Sequence, residues 1–217
     1  SLAQYLSVLT KSLKKRLALY RRELMYRQAA NVDRELLARA RRQFESAFAR
    51  EKTPLISVTI ATYNRGELLA NRTLPSVLNS THGNFEIVIV GDGCTDDTAA
   101  QIERLSDSRI RFMNLPQRGN YPEDARIRWM VAGVPPINRA LNEARGSWIA
   151  HLDDDDIFEP DHLEKLLNFA QDGDLEFAYS QMEKQTGTET WEIIGEEPTD
   201  RWRVPHSSAF FRSYLKA

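Results

Sequence analysis

The chain has 217 residues, 41% of them hydrophobic and 28% charged, with one cysteine and a formal charge of −2. That length holds one sizeable domain plus an appendage, and the apolar fraction suffices for a core, which excludes disorder, collagen-like repeats and low complexity for the bulk of the chain. The lone Cys94 excludes an internal disulfide framework and a Cys-based zinc ribbon, and the four histidines show no H-x-x-x-H spacing. No apolar run is long enough for a membrane-spanning helix, and no signal-peptide pattern follows Ser1, so a reducing, cytoplasmic setting is expected.

The charge is unevenly divided. Residues 1–50 hold 12 basic and 4 acidic side chains, a surplus of +8, which leaves −10 for the remainder. In the basic arm Leu2, Leu6, Leu9, Leu13, Leu17, Tyr20 and Leu24 recur at spacings of three and four, one face of a helix. Asn31 and Asp33 offer a cap for a second helix carrying Leu36, Leu37, Ala40, Phe44 and Phe48. Such an arm suits packing on the body, self-association, or peripheral contact with an anionic membrane surface; the acidic body argues against nucleic acid as a partner.

From Pro54 the pattern changes. Residues 55–61 form a β-branched apolar run, the signature of a strand buried on both faces. A helix is expected from Glu67 to Leu78, bent or broken by Pro75, then a strand at 85–90 ending in Gly91-Asp92-Gly93. Asp96 or Asp97 can cap the next helix, with Ala99, Ile102 and Leu105 inward. An alternating strand at 109–113, a helix from Ile137 to Ala144 and a strand at 148–152 follow, and then a helix begins near Pro160. Further strands are expected at 175–180, 191–194 and within 203–212. Strands alternating with helices at this spacing imply a doubly wound α/β sheet, whose ligands lie beyond the carboxyl ends of the strands.

That rule gathers three loops, Thr62 to Gly66, Gly91 to Asp96 and Asp153 to Asp156. Four adjacent carboxylates, Asp153-Asp154-Asp155-Asp156, repel one another unless a cation or a proton intervenes, and oxygen donors suit Mg²⁺ or Mn²⁺. The competing reading is a solvated acidic turn ahead of the next helix. Asp92 at a strand tip can accept hydrogen bonds from a base or a ribose, while its charge opposes a diphosphate at that point. No G-x-x-x-x-G-K-[ST] occurs, which excludes a P-loop NTPase.

Three segments then carry a family resemblance: Ser57-Val58-Thr59-Ile60-Ala61-Thr62-Tyr63-Asn64-Arg65, Ile89-Val90-Gly91-Asp92-Gly93-Cys94-Thr95-Asp96, and Asn138 through Asp156. Their order and spacing resemble family 2 glycosyltransferases of the GT-A fold. The resemblance implies a Rossmann-like three-layer α/β/α domain over residues 54–217, with a mostly parallel central sheet, preceded by the helical arm at 1–50. It also implies transfer of a sugar, with inversion, from a UDP-, GDP- or dTDP-sugar to a hydroxyl acceptor such as a glycan. Ala61, Thr62 and Tyr63 would line the nucleoside pocket, Asp92 would meet the base or ribose, and Arg65 would lie near the diphosphate. Asp153 and Asp155 match the D-x-D pair, with Asp155 as the direct metal ligand and Asp153 beside the ribose or the metal's water shell. Asp154 joins the donor-binding set, Asp156 would sit close to the transferred sugar or support the pair, and His206 is a candidate third metal ligand or phosphate contact. Gly91, Cys94 and Ile137 depart from the family's Asp, Ser and Arg, and Arg118, Arg126, Arg128 and Arg139 are nearby replacements for the missing charge.

The resemblance also implies a general base well downstream of the strand within 203–212, and hence either a longer chain of which this is the donor-binding part, the favoured reading, or an unusual base among Glu192, Glu196, Glu197 and Asp200. A nucleotide-binding or interaction module that no longer turns over is the alternative. A sugar-phosphate nucleotidyltransferase would need a Gly-rich basic loop after the first strand, and Thr62-Tyr63-Asn64-Arg65-Gly66 does not supply one.

Overall fold

The computed structural model describes residues 20, 21, 24, 27, 32–43, 51–195 and 204–216. Its contacts divide the chain into two units, Ser1–Ala49 and Arg50–Ala217. In the first unit the described residues are helical, with Tyr20, Leu24, Val32 and Leu36 exposed and Leu37 and Ala40 partly covered. Asp33 lies inside the helical run at 32–43 and does not cap it. The leucines before Tyr20, and Asn31, Phe44 and Phe48, lie outside the described residues.

The second unit is built on a six-stranded sheet of order β3-β2-β1-β4-β8-β5. Its strands are β1 (Ile56–Thr62), β2 (Phe85–Gly91), β3 (Ile110–Asn114), β4 (Trp148–His151), β5 (Phe177–Tyr179) and β8 (Ala209–Arg212). β1 pairs in parallel with β2 and β4, and β2 with β3, while β8 runs antiparallel to both β4 and β5. The sheet is therefore mostly parallel, as expected. The segment at 191–194 does not join it: β7 (Trp191–Ile194) forms a separate hairpin with β6 (Met182–Gln185).

β2 is buried throughout, and β1 is buried but for the partly covered Ala61, because helices cover both faces. Ile56, Val58, Ile60, Ile87 and Ile89 meet Leu69, Leu74 and Val77 of α1 (66–78), Ile102 of α2 (Thr98–Glu103) and Leu163, Leu166 and Leu167 of α5 (His162–Asp172). On the other face Val88 and Val90 meet Ala140 of α4 (Val134–Glu143). Between them, α3 (Ala125–Val131) has no buried residue and was not foreseen, because an element with no core face shows no apolar period.

Two local expectations are corrected. Pro75 neither breaks nor ends α1: the helix runs as Gly66–Leu68, a π-turn at Leu69–Thr73, then Leu74–Leu78. The wider turn, in which the Leu74 N–H reaches the Leu69 carbonyl, re-registers the ladder just before the residue that has no N–H to give. In α2 the buried positions are Thr98 and Ile102, whereas Ala99 faces solvent. The N-cap residue Asp97 makes no side-chain cap bond, and Asp96 before it accepts from the Thr98 N–H and hydroxyl at 3.1 and 2.6 Å.

Candidate active site

β1 is flanked by β2 on one side and β4 on the other, so the chain reverses its direction of sheet growth here and leaves a crevice at the strands' carboxyl ends. The three loops predicted to converge do so at that crevice. The Asp92 N–H donates to the Thr62 carbonyl at 2.8 Å, and the Asn64 side chain exchanges hydrogen bonds with the Thr95 N–H and hydroxyl at 2.9 and 3.3 Å. Across the crevice, Arg65 Nη1 donates to Asp154 Oδ1 at 2.8 Å and to Asp155 Oδ2 at 2.7 Å. The Thr73 hydroxyl of α1 donates to the Asp154 carbonyl at 2.9 Å, tying the acidic loop to the helix that follows β1.

The acidic loop is divided in its partners. The Asp153 carboxylate meets His206 Nδ1 at 2.8 Å, and its N–H donates to the Ser207 hydroxyl at 3.0 Å. That hydroxyl in turn donates to Asp156. Burial pushes the Asp153 carboxyl up, but His206, then the charge of His151 and the Ser207 bond, together outweigh it and leave the group below its ordinary value. The same hydrogen bond raises His206. Asp154 and Asp156 are raised by burial, against the pull of Thr62 and Arg65 on the first and of Ser207 on the second. The Asp155 bond, followed by the charge of Asp154, raises Arg65. Behind Asp153, the buried His151 meets the Thr59 hydroxyl at 2.6 Å and stacks on His206 with ring centroids 4.6 Å apart.

These groups bear on the expected metal set. Asp153 and His206 come together, but Asp155 turns to Arg65, and among the described residues no three such donors are placed to hold one ion. One or two carboxylates are what a Mg²⁺-type ion ordinarily takes from protein when a substrate's phosphates complete its shell. With their side chains about half exposed, Asp153 and Asp155 fit that pattern.

Around Asp92 and Tyr63 the details differ from expectation. Asp92 is 4% exposed and both its oxygens are already used, Oδ1 by the Gly119 N–H at 2.9 Å and Oδ2 by the Tyr121 hydroxyl at 2.7 Å. The Arg118 guanidinium lies 3.8 Å from the ring centre of Tyr63. Gly93, at φ +69°, lets this strap approach: a Cβ there would stand 2.4 Å from the Arg118 nitrogen. Ala61 is partly covered and Thr62 is buried. Of the four arginines named as replacement charges, Arg118 alone reaches these site residues; Arg128 donates to the Pro122 and Glu123 carbonyls, and Arg139 pairs with Glu143 at 2.7 Å. Gly91 has a steric reason, since a Cβ would meet Asn114 Oδ1 at 2.5 Å, and Asn114 uses that position to bond both the N–H and the carbonyl of Cys94.

Tyr121, Gly119 and Ser207 were not singled out from sequence. Ser207 stood beside a candidate ligand, His206, which was its available signal; Tyr121 had none beyond the turn-forming Gly119-Asn120 before it.

The model of the family described as "Glycosyl transferase family 2" matches residues 57–129 and 135–216. An uncharacterized glycosyltransferase of Haemophilus influenzae is 28% identical over 164 residues, covering 71% of this chain and 45% of that protein. The hyaluronan synthase of Pasteurella multocida is 33% identical over 132 residues, covering 59% of this chain and 12% of that protein. The chain thus spans less than half the length of these relatives. Among solved structures, S. aureus TarS 1–349 in complex with UDP-GlcNAc aligns with a TM-score of 0.59 at 21% identity, covering 74% of this chain and 46% of that one. The Pyrobaculum calidifontis mannosyltransferase PcManGT, in complex with GDP-Man and Mn²⁺, aligns at 0.52 and 17% identity, covering 73% and 44%. The sheet order and these neighbours make the fold GT-A, and the chain belongs to glycosyltransferase family 2.

Proposed function

We propose that the second unit is the donor-binding part of a metal-dependent, inverting glycosyltransferase that moves a sugar from a nucleoside-diphosphate donor to a hydroxyl of a growing glycan. The observation that carries this reading is the meeting of Arg65 with Asp154 and Asp155 in the crevice, beside the Asp92 loop. Nucleotide sugars in the two structural neighbours, and the polysaccharide product named for the Pasteurella relative, support the substrate class.

In this reading Ala61, Thr62 and Tyr63 form the floor of the nucleoside seat and Asp92 orders its wall. Asp153 and Asp155, with His206, would hold Mn²⁺ or Mg²⁺ together with the donor's phosphates. Such an ion supplies charge neutralisation for the departing diphosphate. Asp154 keeps Arg65 aimed into the crevice, and Asp156, held by Ser207, stands on the side of the transferred sugar. The acceptor oxygen attacks the anomeric carbon from the face opposite the diphosphate, that C–O bond breaks, and the hydroxyl proton passes to a base. The basic arm fits peripheral membrane contact or self-association.

Thermal melts with UDP, GDP and dTDP, each with and without Mn²⁺, test the reading. One nucleotide at about a hundred times its Kd should add about 2.7 kcal/mol. For a chain of this size that raises Tm by about 5–10 °C. The rise should need the metal and vanish in Asp155→Asn. No rise with any nucleotide would contradict it.

A further inference from the structure

The Arg65 guanidinium occupies the position between two carboxylates that a cation would take, and its own position is fixed from behind. Asn64 sits at φ +52° with its side chain locked to Thr95, and the Arg65 carbonyl accepts the Leu69 N–H at 3.0 Å to begin α1. Among the described residues every ion pair recorded for Asp154 and Asp155 comes from Arg65, while Asp153 is served by His206. The two ends of the clamp are unequal. The Asp154 side chain is 13% exposed, whereas those of Asp155 and Arg65 are 52% and 47% exposed. Asp155 can therefore change partner while Asp154 stays in place.

Resting on the donor-binding reading above, we propose that Arg65 is the site's resident counter-cation, neutralising Asp154 and Asp155 before the donor binds and passing to the donor's diphosphate when a divalent ion takes Asp155. A guanidinium presents the same fork of donors to a carboxylate and to a phosphate, so the exchange replaces one charge-assisted pair by another. The repulsion among neighbouring carboxylates stays compensated in both states. Asp155 is then shared by two competitors, which makes the metal bind weakly alone and well with the diphosphate.

Mn²⁺ binding followed by electron paramagnetic resonance, first without nucleotide, tests this in Arg65→Gln and Arg65→Met, with circular dichroism melts confirming that each is folded. With its competitor gone, Mn²⁺ alone should bind about 3–10 times more tightly than in the wild type. At saturating Mn²⁺ the variants should bind UDP, or whichever diphosphate stabilises the wild type, about 10–100 times more weakly, the range of a lost charge-assisted bond. Unchanged or weaker Mn²⁺ binding in the folded variants, or unchanged diphosphate binding, overturns the exchange while leaving the donor site standing. A wild-type protein that binds no diphosphate with Mn²⁺ contradicts the donor site itself and the exchange with it. Should both variants fail to fold, the wild type decides: its Mn²⁺ affinity must rise at least tenfold when the diphosphate is added, and equal affinities overturn the proposal.

Discussion

The Tyr121 hydroxyl donates to Asp92 Oδ2 at 2.7 Å, joining the loop after β3 to the tip of β2. Gly119 closes on the other carboxylate oxygen, and the Gly133 N–H donates back to the Tyr121 hydroxyl at 3.2 Å, so Asp92 and the phenol between them hold both ends of the segment from 119 to 133. Burial, followed by the Asp92 bond, pushes the phenol up to about 12. Its proton is held more tightly in the folded chain than in the unfolded one, where the value is about 10. The stabilisation is thus complete below about pH 10 and is lost as the pH rises toward 12. Tyr121→Phe should cost about 1–2 kcal/mol at neutral pH, read by urea denaturation. The gap between wild type and variant should close above pH 10; curves that stay parallel through that range would contradict the bond.

His151 gives a pH dependence at the acid side. Burial, and then the charge of His206, lowers it to about 3, so it stays neutral in the folded chain. Unfolded, it takes a proton near pH 6.5. Its contribution is present above that value and is lost as the pH falls toward 3. His206 is raised and has the opposite sign: its contribution is present below about 6.5 and is lost as the pH rises through its folded value. Urea melts across this range should show a shallower pH slope in His151→Gln than in the wild type, and equal slopes would sink the assignment.

Phe210 stacks on Trp148 with ring centroids 4.7 Å apart and both side chains fully buried, which binds β8 to β4 although 62 positions separate them. Phe210→Ala should destabilise the second unit by about 3–5 kcal/mol in urea denaturation. A loss under about 1 kcal/mol would mean that β8 is peripheral to the core.

Asn114 explains why glycine stands at 91. Gly91→Asp should cost about 1–3 kcal/mol from crowding against Asn114 Oδ1 and Cys94 Sγ. Adding Asn114→Gly should restore part of that loss, since the two changes share one space. Strict additivity in a double-mutant cycle would count against the contact.

The parallel core was legible because Ile56–Thr62 and Phe85–Gly91 are β-branched apolar runs that only doubly covered strands carry. The site's three loops were legible for a related reason: their chemistry sits in consecutive residues just past a strand end. Partners were not. The sequence signal of Asp155 is a carboxylate needing a cation, and it does not say that Arg65, 90 positions away, serves as one. Likewise nothing periodic ties Tyr121 to Asp92 or places β8 between β4 and β5, because those pairings are non-local. Ala99 was misplaced by a smaller effect: α2 begins at Thr98, whose side chain is capped and buried, and that turns the next residue outward.

In the proposed site a nucleoside diphosphate and a divalent ion share the crevice between Asp92 and Asp155. A crystal structure with Mn²⁺ and the stabilising nucleotide, read at the manganese absorption edge, should show an anomalous peak against the Asp155 carboxylate, the diphosphate beside it within reach of Arg65, and the base over Tyr63 next to Asp92. Nucleotide or manganese bound elsewhere on the chain, with the Arg65–Asp155 pair intact, would contradict that site.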